Sequence, residues 1–218
     1  MYKIIFSVFI FLYSNVICSQ NIIDNDKKKQ GVWEKYYENG TIRYKGQFKD
    51  DKPYGFFYYY YKTGELKIEK EFFHNGIAAA THIFYKDGSL KASGLYVDQK
   101  KDSTWNYYDK DSLLIMSEQY YQGKLHGVTK TYYHDGSIYE IKKWSDNIEN
   151  GKWIQYFING NMKMKTFLKN GVRQGEELQF HVNGNIYYQG SYKDGVKIGD
   201  WNYYTEEGVL DTVIYYYE

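Results

Sequence analysis

The chain has 218 residues, with 28 basic and 27 acidic side chains, a formal net charge of +1 and a single cysteine. This balance argues against a nucleic-acid partner, because phosphate binding needs a concentrated basic surface, and it weakens electrostatic docking to anionic lipid for the same reason. Twenty-eight tyrosines and one proline favour β-strands, where aromatic side chains pack well and proline is excluded from ladder positions.

Residues 1–19 have the composition of a secretory signal peptide. A short basic start precedes the apolar run Ile4–Tyr13, which is much shorter than the roughly 20 residues that span a bilayer. We expect cleavage near Ser19 and export to the periplasm, the cell envelope or the medium. Acylation of Cys18 would instead give a lipoprotein, but Ile17 stands where a small side chain is expected.

Residues 20–30 lack aromatic side chains and any repeat, and we interpret them as a leader or linker. Their three lysines, at 27–29, follow Asp24 and Asp26 closely. Such mixed charge is typical of a solvated segment.

From residue 31 to residue 218 one pattern recurs every 24 residues without insertion. Counting each start as position 0, position 5 is aromatic in all eight copies, positions 11 and 17 are apolar, and position 9 is glycine in seven. A fixed period of this length indicates an array built from one supersecondary unit. The array accounts for the whole segment, and we expect no separate catalytic domain. The eight starts are Gly31, Gly55, Ala79, Ser103, Gly127, Gly151, Gly175 and Gly199.

Each repeat predicts a β-hairpin. Dipeptides such as Asn39-Gly40 separate two aromatic-rich runs, and these residues tolerate the positive φ of tight hairpin turns. A three-residue loop ending in glycine would make Tyr36 and Ile42 neighbours on one face and send Trp33 to the other. The predicted fold is therefore all-β: an elongated, twisted antiparallel β-meander of about eight 24-residue hairpin repeats with sixteen strands.

The recurrent glycine, aromatic pair, Asn-Gly or Asp-Gly, aliphatic residue and Gly-x-aromatic resemble the MORN repeat in its bacterial exported variant. The last element is present in Gly46-Gln47-Phe48, Gly94-Leu95-Tyr96 and Gly190-Ser191-Tyr192. The resemblance covers residues 31–218. It implies a sheet of hairpins used for protein interaction and sometimes for lipid contact. Some bacterial members are antitoxin or immunity components that neutralise a partner toxin.

Three repeats depart from the pattern, and two interpretations are open. Drift tolerated by a single-layer sheet is one; a specialised contact patch is the other, in which Asp109 to Asp111 and Glu177 would select a partner. The departures are Ala79 and Thr81 in the third repeat, Ser103, Asp109 and Ser112 in the fourth, and Glu177 and His181 in the seventh.

Nothing in the sequence predicts an enzyme. Nucleophile elbows, phosphate loops and dinucleotide fingerprints are missing, and five histidines stand at five different repeat positions without a ligand spacing. Glu176 and Glu177 are adjacent, so in a strand they point to opposite faces and cannot act on one substrate atom. We expect neither a cofactor nor a metal.

We hypothesise a protein-interaction module that docks its partner through an aromatic-rich face, since tryptophan and tyrosine provide large, rigid contact areas. One alternative is an immunity or antitoxin component that neutralises a toxin; another is an envelope or surface protein that binds lipid or glycan. We expect no nucleic acid as a partner. The candidate contact residues are Trp33, Trp105, Trp153, Trp201, Tyr37, Tyr61, Tyr85, Tyr133, Asp109 and Glu177.

Overall fold

The structure, a computed structural model, describes residues 20–217, so the predicted signal peptide and Cys18 lie outside the described residues. These residues form one open antiparallel sheet of eighteen strands without any helix, which confirms the all-β meander of hairpins. The strands are β1 Ile22–Ile23, β2 Lys29–Tyr36, β3 Ile42–Lys49, β4 Lys52–Tyr60, β5 Leu66–Phe73, β6 Ala78–Phe84, β7 Leu90–Val97, β8 Lys100–Tyr108, β9 Leu114–Tyr121, β10 Lys124–Tyr132, β11 Ile138–Ser145, β12 Ile148–Tyr156, β13 Met162–Lys169, β14 Val172–Arg173, β15 Gly175–Phe180, β16 Ile186–Lys193, β17 Val196–Tyr204 and β18 Leu210–Tyr216.

Sequence order sets the order of the sheet, because each strand except β14 pairs with the next along the chain. Two strands exceed the sixteen expected. The leader contributes β1, where Ile22 pairs with Gln30. The first strand of the seventh repeat is divided at Gln174 into β14 and β15, which both lie against β13. Part of the segment interpreted as a linker is thus an extension of the array.

The hairpin tips are three-residue loops. In the first repeat the Tyr37 amide donates to the Thr41 carbonyl at 2.8 Å, and the Gly40 amide donates to the Tyr37 carbonyl at 3.0 Å. Gly40 has φ +82°, a conformation that glycine adopts without steric cost. Tyr36 pairs with Ile42 across the tip, and position 5 pairs with position 11 in all eight repeats, as predicted.

Successive hairpins are joined mostly by two-residue turns. In Asp50-Asp51 both residues have positive φ, +50° and +65°, the combination found in type I′ hairpin turns. The same geometry recurs in Asp146-Asn147 and Asn170-Gly171. Short polar residues suit these turns, because their side chains tolerate the left-handed region better than most.

A bulge follows most of these turns. Gln47 on β3 pairs with Tyr54 and Lys45 pairs with Tyr58, so that three residues beginning at Gly55 lie opposite Gly46 alone. Gly55 has φ +60°. The repeat start is therefore glycine in most copies because the bulge needs a left-handed residue.

The third repeat lacks this bulge. Its start, Ala79, is absent from the positive-φ residues, and β5 and β6 pair without interruption from Ile68 with Ile83 to Phe73 with Ala78. The connecting loop is correspondingly longer, with the four residues 74–77. The two residues that form a bulge elsewhere are in the loop here, so the 24-residue period is preserved.

The core lies on one face of the sheet, which we call the tryptophan face, because it carries position 2 of every repeat. Trp105 and Trp201 have no exposed surface there. The Tyr96 ring meets Trp105 edge to face with centroids 5.0 Å apart, and Tyr192 meets Trp201 in the same way at 5.1 Å. A single-layer sheet thus buries its largest rings among neighbours on the same face.

Glycine on the preceding strand makes room for these rings. A Cβ atom at Gly94 would lie 2.3 Å from the Trp105 ring, and one at Gly190 would lie 2.2 Å from Trp201. Such separations are sterically impossible, so only glycine allows the ring to lie flat on the backbone. This explains the glycine of the Gly-x-aromatic element.

The hairpin tip of the fourth repeat provides the first testable prediction. Ser112 holds the tip position with φ +63°, where glycine stands in the other seven repeats. A left-handed non-glycine residue costs about 1–2 kcal/mol, and the extra flexibility of an unfolded glycine offsets part of the gain. We expect Ser112→Gly to raise the free energy of unfolding by about 1 kcal/mol, measured by urea denaturation.

The matched control is Gly136→Ser at the fifth tip, where φ is +84°. It should lower the stability by a similar amount. A loss of stability in Ser112→Gly would contradict the explanation of the tip.

Candidate interaction surface

The four candidate tryptophans all lie on the tryptophan face, but they differ in access. Trp105 and Trp201 are completely buried, so a partner cannot touch them without opening the core. Trp33 and Trp153 are half-buried. The Trp33 indole donates to the Gln30 carbonyl at 3.1 Å, and the Trp153 indole donates to a Glu140 carboxylate at 2.8 Å. We therefore assign these rings primarily to packing of the array.

A cation covers several of these rings. The Lys29, Lys101 and Lys197 ammonium groups lie 5.1, 4.7 and 3.9 Å from the ring centroids of Trp33, Trp105 and Trp201, within the range of cation–π attraction. Burial lowers the pKa of Lys101. Each lysine stands two residues before a repeat start, a regularity that the 24-residue alignment contains and that our sequence reasoning missed.

The four candidate tyrosines at position 6 connect adjacent repeats. The Tyr37 hydroxyl donates to the Tyr60 carbonyl oxygen, 23 residues ahead, at 2.8 Å. Tyr61, Tyr85 and Tyr133 make the same forward bond at 2.9, 3.0 and 2.8 Å. We call this set of bonds the tyrosine ladder. Since their hydroxyls are used internally, these tyrosines hold hairpin to hairpin.

Asp109 replaces the tyrosine in the fourth repeat and organises its own tip. One carboxylate oxygen accepts the Asp111 and Leu113 amides, both at 2.9 Å. The other lies 3.8 Å from the Nδ1 atom of His134, in the next tip. The fourth repeat thus lacks the hydroxyl-to-carbonyl bond of the tyrosine ladder, and the contact between Asp109 and His134 connects its hairpin tip to the next one.

Glu177 replaces the tryptophan of the seventh repeat and is almost completely buried, with 1% of its surface exposed. Its carboxylate lies 3.0 Å from the Arg173 Nε atom and accepts the Tyr188 hydroxyl at 2.9 Å. Burial, reinforced by the Glu177 charge, raises the pKa of Tyr188. Arg173, whose side chain is 38% exposed, stands at the cation position, so an ion pair with a buried carboxylate occupies the place of the usual cation and ring. Glu177 is therefore too deeply buried to meet a partner, whereas Asp109 keeps 28% of its side-chain surface exposed.

The opposite face, which we call the second face, carries exposed aromatic side chains that the sequence reasoning did not select. Position 1 and position 16 pair across strands on this face, as Lys152 does with Phe167. Five of its rings, the aromatic row, have between 42% and 61% of their surface exposed. The aromatic row consists of Tyr54, Phe56, Tyr121, Phe167 and Tyr215.

The surroundings of the aromatic row are concave in places and carry both charges. Phe56 stacks on Tyr58 with ring centroids 6.1 Å apart, beside a groove of about 300 Å³ that Val32 and Tyr54 also line. Phe167 borders another groove together with Lys152, Lys165 and Glu176. Apolar anchors are therefore surrounded by a polar margin.

Within residues 20–217, no group of three or more histidine, cysteine or acidic side chains has an arrangement suited to a metal ion. The same residues contain no apolar helix of the length that crosses a bilayer.

Comparison with protein families now adds to the geometry. The family model described as MORN repeat variant matches residues 29–50, 125–146 and 173–194. These three segments are MORN repeats of the variant type, which supports the resemblance of the array to the MORN-repeat family. The matched segments begin 96 and then 48 residues apart, which are four and two periods, so they share the phase of the array. Each begins two residues before a repeat start, the position from which Lys29 covers Trp33 in the first matched segment.

A search of curated proteins found no match. Among solved structures, the chain resembles a crystal structure of TarM and an S. aureus TarM mutant in complex with fondaparinux, alpha-GlcNAc-glycerol and UDP. The identities are 14% and 13%, over 55% of this chain and 19% of each TarM chain, both with a TM-score of 0.27. A crystal structure of TcdB2-TccC3-Cdc42 is 11% identical over 86% of this chain and 12% of that one, with a TM-score of 0.21. The chain spans less than a fifth of the length of these structures.

The tyrosine ladder provides the second prediction. Removing one hydroxyl by Tyr85→Phe should lower stability by about 1 kcal/mol, because the Tyr108 carbonyl loses its side-chain donor. The sixth repeat offers the reverse change, since Phe157 occupies the ladder position without a hydroxyl. Phe157→Tyr should add a bond to the Phe180 carbonyl and raise stability. Urea denaturation of both variants measures the two shifts.

A shift in stability of the same sign and size in both variants would contradict a hydrogen-bonding role for the tyrosine ladder. So would an unchanged stability in Tyr85→Phe.

Proposed function

We propose that this MORN-repeat array is a protein-interaction module that binds its partner through the second face. The observation that carries the proposal is the unequal use of the two faces. The largest rings of the tryptophan face are buried or covered by cations, whereas the aromatic row of the second face is exposed. Where such rings lie together, as Tyr54, Phe56 and Tyr58 do around one groove, a contiguous exposed apolar patch usually marks an interaction site.

The chemistry of the second face favours a protein over a polyanion. Phenylalanine and tyrosine anchors next to shallow grooves resemble the centre of protein interfaces, which a polar margin surrounds. Near Phe167 the margin carries both Lys152 and Glu176. A mixed margin suits a partner with both charges and gives no concentrated basic surface for phosphate.

The composition of residues 1–19 supports action after export. Neutralisation of a partner toxin is a narrower version of the same proposal, because it also requires a protein on the exposed face. Binding of lipid or glycan is the competing class, since aromatic side chains also interact with membranes and stack on sugar rings.

The third prediction tests the second face directly. The variant Phe56→Asp/Phe167→Asp places charges at two rings of the aromatic row, at residues exposed by 44% and 42%. A charge at an apolar contact of an interface should weaken binding at least about tenfold, by analogy with interface hot spots. We expect the wild-type chain to retain one stoichiometric protein from an envelope or supernatant extract of the source cells, and the variant to lose it.

The control is Ile158→Asp, which changes an exposed apolar residue at a hairpin tip, away from the aromatic row. It should bind as the wild-type chain does, and circular dichroism should show that both variants keep the β-sheet. Vesicles and a glycan array are tested beside the extract. Retention of the partner by the double variant would contradict the proposed surface, and glycan or vesicle binding without any protein partner would contradict the proposed function.

A further inference from the structure

A cavity of about 300 Å³ opens on the tryptophan face between the second and third repeats. Its walls include the Phe57, Phe72 and Tyr96 rings, its floor includes Ala79, and Lys70 also lines it. This volume lies at the lower end of the range for small-molecule sites, about 300–1,000 Å³.

The departures of the third repeat create this cavity. Thr81 stands at the position that holds a tryptophan or phenylalanine in five of the eight repeats. It does not itself line the cavity, but it pairs with Lys70 across β5 and β6, so that Lys70 has no tryptophan or phenylalanine opposite it. Ala79 removes the bulge and leaves the ladder between β5 and β6 regular. The loop of residues 74–77 is lengthened and closes against Pro53, since a Cβ at Gly76 would lie 2.7 Å from the proline ring.

The side chains that cover the tryptophan face also differ beside the cavity. Pro53 and Ile77 stand two residues before the second and third starts, where Lys29, Lys101 and Lys197 cover a ring elsewhere. Both line the cavity. The margin is therefore apolar at these two positions, and the cation of this region comes from Lys70 on β5.

Lys70 is half-buried, and its ammonium group lies 4.3 Å from the centroid of the Tyr96 ring. Within residues 20–217 it forms no ion pair. Its chain neighbours Glu69 and Glu71 point to the other face, because side chains alternate along a strand. Burial lowers the pKa of Lys70. A desolvated ammonium without an anion is unfavourable, and a bound anion would relieve this cost.

Lys142 shows what a satisfied lysine looks like at the same position, 15, of the fifth repeat. Its ammonium lies 3.1 Å from a Glu149 oxygen and 3.8 Å from a Glu140 oxygen. It also covers the Trp153 ring at 4.5 Å. Lys70 has neither the carboxylates nor a tryptophan beneath it. Lys70 therefore lacks two groups that surround Lys142: a tryptophan ring and a carboxylate.

We propose that this cavity binds a carboxylate attached to a flat aromatic ring, with the ring among Phe57, Phe72 and Tyr96 and the carboxylate on the Lys70 ammonium. Such a group occurs in small aromatic acids and at the end of a polypeptide whose last residue is aromatic. The site is separate from the aromatic row of the second face, so it does not depend on the proposed protein interaction.

The test is calorimetric titration of the full chain with phenylacetate and with its neutral amide. A second pair of probes, a pentapeptide ending in phenylalanine with a free or an amidated terminus, distinguishes a small acid from a chain terminus. We expect the acid of at least one pair to bind about tenfold or more tightly than its amide, because the charge-assisted bond to Lys70 is lost in the amide.

Lys70→Met keeps the length and apolar part of the side chain but removes the charge. It should abolish the preference for the acid while leaving the thermal midpoint unchanged or higher, since a desolvated charge has been removed. Lys142→Met is the matched control and should bind the acid as the wild-type chain does. Equal binding of acid and amide, undiminished binding in Lys70→Met, or no binding of either acid at millimolar concentration would overturn the proposal.

Discussion

A single-layer sheet has no second layer against which to bury its side chains, and this constraint explains most features of the molecule. The core must form within one face, between side chains of neighbouring strands. The structure achieves this by laying the ring at position 2 flat on the glycine at position 15 of the preceding repeat, as Trp105 lies on Gly94. Aromatic edges and lysine side chains then exclude water from the ring. Removal of the glycine, the ring or the cation alters the other two.

The constant period is compatible with considerable local change. Ala79 does not take the left-handed conformation that the bulge requires, and the third repeat responds by moving two residues from the bulge to the loop. Glu177 replaces a ring with a buried carboxylate that pairs with Arg173. Asp109 replaces a rung of the tyrosine ladder with a contact between tips. Repeat arrays accept such exchanges because each unit contacts only its neighbours.

The period, the hairpin tips and the pairing of Tyr36 with Ile42 could be predicted from the sequence, because they depend on local turn chemistry and on alternation along a strand. The distribution of exposure over the two faces could not. Alternation separates Trp33 from Tyr36, but it does not show that Lys29, Lys101 and Lys197 cover rings on one of the two faces. The tyrosine ladder was also missed, because Tyr85 and its acceptor at Tyr108 become neighbours only when hairpins stack.

The most direct measurement of the glycine and ring packing is the chemical shift of the glycine α-protons. In the structure one α-proton of each of Gly46, Gly94 and Gly190 points at the face of Phe57, Trp105 or Trp201, where ring currents move its resonance upfield. The account predicts strongly upfield α-proton resonances for these three glycines. It predicts ordinary resonances for Gly136 and Gly160, where a Cβ atom would have no neighbouring atom within 4 Å. Ordinary shifts for all five would show that the rings do not lie on the backbone and would contradict the account.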